Sequence, residues 1–191
     1  MKFSDDTTMR LYRQTVEDFA LYTGKELTDS EMENLREAAG QMSAKMRAVR
    51  IVSASSVTKR DLEQRLVHKG EDPEQAKQAV RWMSDLDLLN DAEVAHQVVR
   101  KCVSRGYGIA RAKQMLYEKQ VPKQYWEEAL ADYPDMEEQI ADFLRSKLGP
   151  DPDEKDKKRA IDAALRRGHN YSQIRRAMNS LDLDHDDFLE D

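Results

Sequence analysis

The feature that most limits how this chain can fold is a passage that it writes twice. Ser104 to Leu116 reads SRGYGIARAKQML, and Arg166 to Met178 reads RRGHNYSQIRRAM. Each passage ends one amphipathic stretch, breaks at Arg-Gly, and starts another. Glycine just past the last apolar position of a helix supplies the left-handed residue that ends it. Both passages therefore predict a helix, a tight turn and a second helix. Superposing Leu66, Leu116 and Met178 also aligns Leu62 with Ala112 and Ile174, Val49 with Val99 and Ile161, and Val52 with Cys102 and Ala164. The unit is then expected three times. Units of two or three short helices cannot bury their apolar faces alone, so they must stack. The fold expected is all-α, with tandem three-helix repeats stacked into a curved, elongated array.

Local signals agree with this division. Thr58 stands before KRDLEQRLVHK with Asp61 in the first turn, and Gly70 follows as a helix stop. Asp72, Pro73 and Gln75 open the next helix as N-cap, first helical residue and capping partner. Asn90 and Glu93 open another, along which Val94, Ala95, Val98, Val99, Cys102 and Val103 recur at helical spacing. Val121-Pro122 starts a helix whose Trp126, Ala129 and Leu130 are expected to pack inward. Thr28-Asp29-Ser30-Glu31 is a capping signal nearer the N-terminus. The resulting organisation is a leader at 1–44 with a short extended piece and a helix, a first repeat at 45–90, a second at 91–150 including an acidic linker, a third at 151–180, and an acidic tail at 181–191.

Catalytic and cofactor motifs fail one by one. Thr23-Gly24-Lys25 hints at a phosphate loop, but Phe19 stands where its first glycine belongs and Glu26 where Ser or Thr is needed. Gly106-Tyr107-Gly108 lacks the strand and third glycine of a dinucleotide fingerprint. The alternation Asp182, Asp184, Asp186 resembles a calcium loop, yet Asp187 occupies its glycine position and the closing Glu is missing. His68, His96, His169 and His185 have no ligand spacing with one another or with Cys102. No enzyme, cofactor or metal site is expected. Cys102, the single cysteine, falls in an apolar helical series and reads as a small buried hydrophobe. One cysteine, no membrane-length apolar run and no signal-peptide core at MKFSDDTTMR predict a cytoplasmic protein, and its polar faces suggest a monomer.

Charge is segregated along the chain, although the net value is −6. Residues 155–180 carry eight Lys or Arg against two Asp or Glu, whereas residues 120–154 carry three against ten. Such blocks set local potential, so the basic segments can meet a polyanion despite the acidic total. Arg105, Tyr107, Arg111 and Lys113, together with Arg166, Arg167, Arg175 and Arg176, fall in the basic passages of two units. They are the candidate partner-binding and nucleic-acid-binding residues. Guanidinium groups fork onto phosphate or carboxylate, while Tyr107 could stack on a base and more readily braces its turn.

The runs TKRDLEQRLVHKG, LDLLNDAEVAHQVV, SRGYGIARAKQMLYEKQVP and ALRRGHNYSQIRRAM resemble, in order and spacing, the RecX family of bacterial recombination regulators. The resemblance covers roughly residues 45–180 and is most specific at RGYG. It implies three tandem three-helix repeats, no enzymatic activity, and a protein that binds the RecA recombinase on single-stranded DNA and most often inhibits its filament, with effects on recombination, DNA repair and the SOS response. Three positions depart from the family's usual pattern: Val94 where an aromatic is frequent, Asp87 where Gly is common, and His169 in place of Phe or Tyr. All three read as packing positions. The competing expectation is a general nucleic-acid-binding helical repeat protein. Reversing Arg166, Arg167, Arg175 and Arg176 to Glu is expected to weaken binding and leave folding intact.

Overall fold

The structure is a computed structural model that describes residues 1–4 and 6–181. The calcium-like alternation at 182–187 and the acidic tail beyond Leu181 lie outside the described residues. The described residues are helical apart from turns and one antiparallel bridge between Lys2 and Thr8. The chain divides into two compact units, Met1–Asn90 and Asp91–Asp191.

The first unit contains α1 (Arg13–Asp18), α2 (Asp29–Ala54), α3 (Lys59–His68) and α4 (Pro73–Asp85). Of these, α2, α3 and α4 begin where their caps are written. The Thr28 hydroxyl accepts from the Glu31 amide at 3.2 Å, while Glu31 Oε2 accepts from the Thr28 amide at 2.8 Å. Thr58 caps α3 through the Asp61 amide at 3.1 Å, and Asp72 caps α4 through the amides of Glu74 and Gln75. From Thr28 onward α2 runs without a break across position 44, so the leader helix and the first helix of the first repeat are one element. Its Ala44 and Ala48 meet Leu62, Leu66, Ala79 and Met83 in a core built by α2, α3 and α4. Small side chains on α2 allow α4 to lie close against it.

The second unit contains α5 (Asp91–Ser104), α6 (Ile109–Glu118), a 3-10 turn (Lys123–Tyr125) running into α7 (Trp126–Leu130), α8 (Glu137–Arg145), α9 (Glu154–Arg166) and α10 (Tyr171–Asn179). It holds two cores. In one, Val94, Val98, Cys102, Ala112 and Leu116 are closed over by Ala129 of α7, and the Trp126 indole N–H donates to the Val121 carbonyl at 3.0 Å. In the other, Ile161 and Ala164 of α9 and Ile174 and Met178 of α10 are closed over by Met136, Ile140 and Leu144. The last two of these lie on α8, within the stretch that charge assigns to an acidic linker of the second repeat. Its acidic residues occupy the outer face, while Ile140, Ala141 and Leu144 recur at helical spacing and bind it to α9 and α10. The third helix thus follows its pair in the first two cores and precedes it in the last.

The superposition read from the sequence has a physical counterpart. Leu62, Leu66, Ala112, Leu116, Ile174 and Met178 are all at most 1% exposed, as are Cys102 and Ala164, whereas their counterpart Val52 is only partly buried. Val94 and His169 are buried packing positions, as expected from the sequence. Asp87 is not one: it is exposed and takes φ +54° in the turn after α4, a backbone conformation that favours glycine.

Candidate functional site

The two Arg-Gly turns of the second unit face each other. The turn after α5 (105–108) and the turn after α9 (167–170) lie backbone against backbone. The Gly108 amide donates to the Arg167 carbonyl at 2.9 Å and the Ala110 amide to the Gly168 carbonyl at 3.2 Å. The N–H groups that open α6 are therefore satisfied by carbonyls that close α9. This explains why α6 has no capping side chain, while the equivalent Thr58 and Asn170 cap α3 and α10. A Cβ at Gly108 would lie 2.0 Å from the Gly168 carbonyl oxygen, so the residue that usually caps cannot be accommodated.

Arg167 fastens the pair from the other direction. Its guanidinium lies over the Tyr107 ring at 4.9 Å and the Phe143 ring at 4.6 Å. Nη2 donates to the carbonyls of Arg105 and Gly106, the latter at 3.3 Å. These carbonyls follow the C-terminus of α5, where unpaired acceptors and the negative helix end favour a cation. The Tyr133 hydroxyl donates to the Tyr107 carbonyl at 2.6 Å, and His169 Nε2 lies 3.1 Å from the Gly106 carbonyl. Burial pushes the Tyr133 hydroxyl up to about 12. Burial also lowers His169, opposed by its bond to Gly106 and helped by the Arg167 charge. His169 is therefore neutral near pH 7, with Nε2 donating and a buried Nδ1 that has no hydrogen-bond partner among the described residues. Cys102 is buried with a raised pKa, and its Sγ lies 3.4 Å from Met115 Sδ, an arrangement that leaves the thiol unreactive.

The eight residues selected from the sequence divide into three groups. Arg105 extends an exposed side chain from the first turn and Arg166 from the last residue of α9, just before the second, and the Arg111 backbone packs directly against Gly168. Arg111 is half-buried and reaches Glu118 at 3.4 Å. Lys113 is exposed on α6, and Arg175, at the equivalent place on α10, is partly buried. Arg167 and Tyr107 belong to the lock between the turns rather than to an open surface. Arg176 reaches Asp135 at 3.0 Å and Glu137 at 3.4 Å, bracing α10 to the start of α8. Charge reversal at Arg166, Arg167, Arg175 and Arg176 together therefore strikes the fold as well as the surface, contrary to the sequence expectation. Phe143, Tyr133 and His169 complete the lock. Only the shared register of Arg105 with Arg167 pointed toward it.

The sequence profile described as RecX, second three-helix domain, matches residues 90–130, which span α5, α6 and α7. The regulatory protein RecX of Chromohalobacter salexigens is 29% identical over 69% of this chain and 88% of its own length. That of Streptococcus gordonii is 23% identical over 97% of this chain and 74% of its own. The chain is thus similar to RecX proteins along most of its length. A crystal structure of a regulatory protein RecX superposes with TM-score 0.70, covering 93% of this chain and 91% of the other at 16% identity. The fold of that RecX structure is thus shared, and the relatives are named as regulatory proteins. Among the described residues no helix is long and apolar enough to cross a membrane.

Proposed function

We propose that this chain binds the RecA recombinase filament on single-stranded DNA and inhibits it, thereby restraining recombination, repair and the SOS response from the cytoplasm, as a monomer. Similarity to proteins named as regulators supports a binding role, and the RecA assignment rests on what the resemblance to RecX implies. The observation that carries the reading to particular residues is the exposure of Arg105 and Arg166 at two turns held in direct contact, with Lys113 exposed on the adjoining α6. Arg111 and Arg175 flank them with partly buried side chains. Such a group can neutralise phosphates without reading sequence, or meet carboxylates of a protein filament. On this reading the repeats are α2 to α4, α5 to α7 and α8 to α10, so the last begins near Met136.

The test is RecA's DNA-dependent ATP hydrolysis, followed while this protein is titrated from far below RecA to equal amounts. A fall at substoichiometric protein is the expected result. No effect on hydrolysis, together with tight binding to bare DNA at physiological salt, would replace this reading by that of a general nucleic-acid-binding repeat protein.

A further inference from the structure

We infer that Arg167 is a positioning residue: it does not contact the partner, but locks the second and third repeats into one binding body and so fixes the spacing of Arg105 and Arg166. The inference rests on the partner reading above. Four independent contacts converge on this side chain. It stacks between Tyr107 of the second repeat's turn and Phe143 of α8, and it donates to the carbonyls of Arg105 and Gly106. Three of these contacts cross to the second repeat's turn, while the fourth ties the side chain to α8 of its own repeat. The neighbouring Arg166 is exposed, so two adjacent arginines have divided the work, one turned outward and one turned into the joint.

A lysine at 167 keeps the charge and loses the planar fork and the two-sided stack, so charge and geometry are separable here. In the native protein the amides of Gly108 and Ala110, which donate across the joint, should exchange slowly with solvent. In Arg167→Lys these two amides should exchange about tenfold faster, roughly the effect of losing one stacked and forked cation. Amides within α5 and α10 should keep their protection, because each belongs to a separate core.

The same variant should need about tenfold more protein to restrain RecA's ATP hydrolysis, since two surfaces that no longer share a fixed spacing lose much of their joint gain. Arg159→Lys, an exposed cation on α9 that belongs neither to the joint nor to the candidate binding residues, should keep nearly full effect. If Arg167→Lys unfolds outright, Tyr107→Leu removes one stacking face while leaving the guanidinium its carbonyls, and the same two readouts apply. Faster exchange at Gly108 and Ala110 with undiminished restraint of RecA would overturn the positioning role and leave the RecA reading standing. Unchanged exchange would overturn the lock itself. A native protein without effect on RecA would overturn the RecA reading, and the positioning role with it.

Discussion

Gly168 shows how much one missing methyl group can decide. It takes φ +88°, and a Cβ there would lie 2.3 Å from the Arg111 amide nitrogen. Gly70 takes nearly the same backbone conformation, φ +90°, with nothing within 4 Å of its Cβ position. Gly168→Ala should therefore cost about 2–4 kcal/mol, from backbone strain and overpacking together, whereas Gly70→Ala should cost about 1–2 kcal/mol from strain alone. Urea unfolding of the two variants measures the difference. His169 carries a second prediction at this scale. Its folded pKa is lowered from an ordinary 6.5, mainly by burial, so the unfolded chain takes up the proton first as pH falls. The stabilisation from keeping it neutral is full above that ordinary value and is lost as pH drops through the folded one. In His169→Phe, which has no ring nitrogen to protonate, the unfolding free energy should fall less steeply between about pH 7 and pH 5.

Helices show the same local rule reaching opposite results in different surroundings. Thr58 is fully buried and caps α3, so Thr58→Ala should destabilise by about 1–2 kcal/mol. Gly108 occupies the equivalent place before α6, and a design based on the sequence would replace it by Asn, the residue that caps α10. The structure reverses the sign. Gly108→Asn should destabilise, because its Cβ would collide with the Gly168 carbonyl that already serves the start of α6. Thermal unfolding of the two variants checks both directions. The most legible parts of the fold were those written locally: the capping box at Thr28, the Asp72-Pro73 start and the stop at Gly70 all stand where the sequence puts them. The role of α8 was not legible, because its acidic outer face dominates the charge count while Ile140, Ala141, Phe143 and Leu144 determine its partner.

On the proposed reading of the molecule as a RecA-binding protein, surface cations must be separated from those that hold the structure. Arg105 and Arg166 are exposed and lie outside the lock, so they suit a clean test. The double variant Arg105→Glu, Arg166→Glu should keep its helical signal and melting temperature while losing most of its effect on RecA. If the contacts are to phosphate, each one lost should reduce the slope of log affinity against log salt by about one. Arg176→Glu makes a useful contrast. It breaks exposed pairs with Asp135 and Glu137, and should lower stability by about 1 kcal/mol or less.

The sequence alone determined the all-α class, most helix starts and stops, the threefold register of Leu66, Leu116 and Met178, and the burial of Cys102. These depend on period, capping chemistry and apolar spacing, which act over a few residues and leave a direct trace in the chain. Tertiary structure decided what the repeated Arg-Gly passage is for. In the sequence its two copies read as parallel contributions to one outward surface. In the fold they meet, Gly108 against Gly168, with Arg167 drawn inward between Tyr107 and Phe143 and Arg166 left outside. Adjacent arginines are indistinguishable to composition and spacing. Only the partners brought from some sixty residues earlier, carbonyls with unused lone pairs and the face of Tyr107, together with that of Phe143 on α8, separate the cation that holds the joint from the one that remains free to bind.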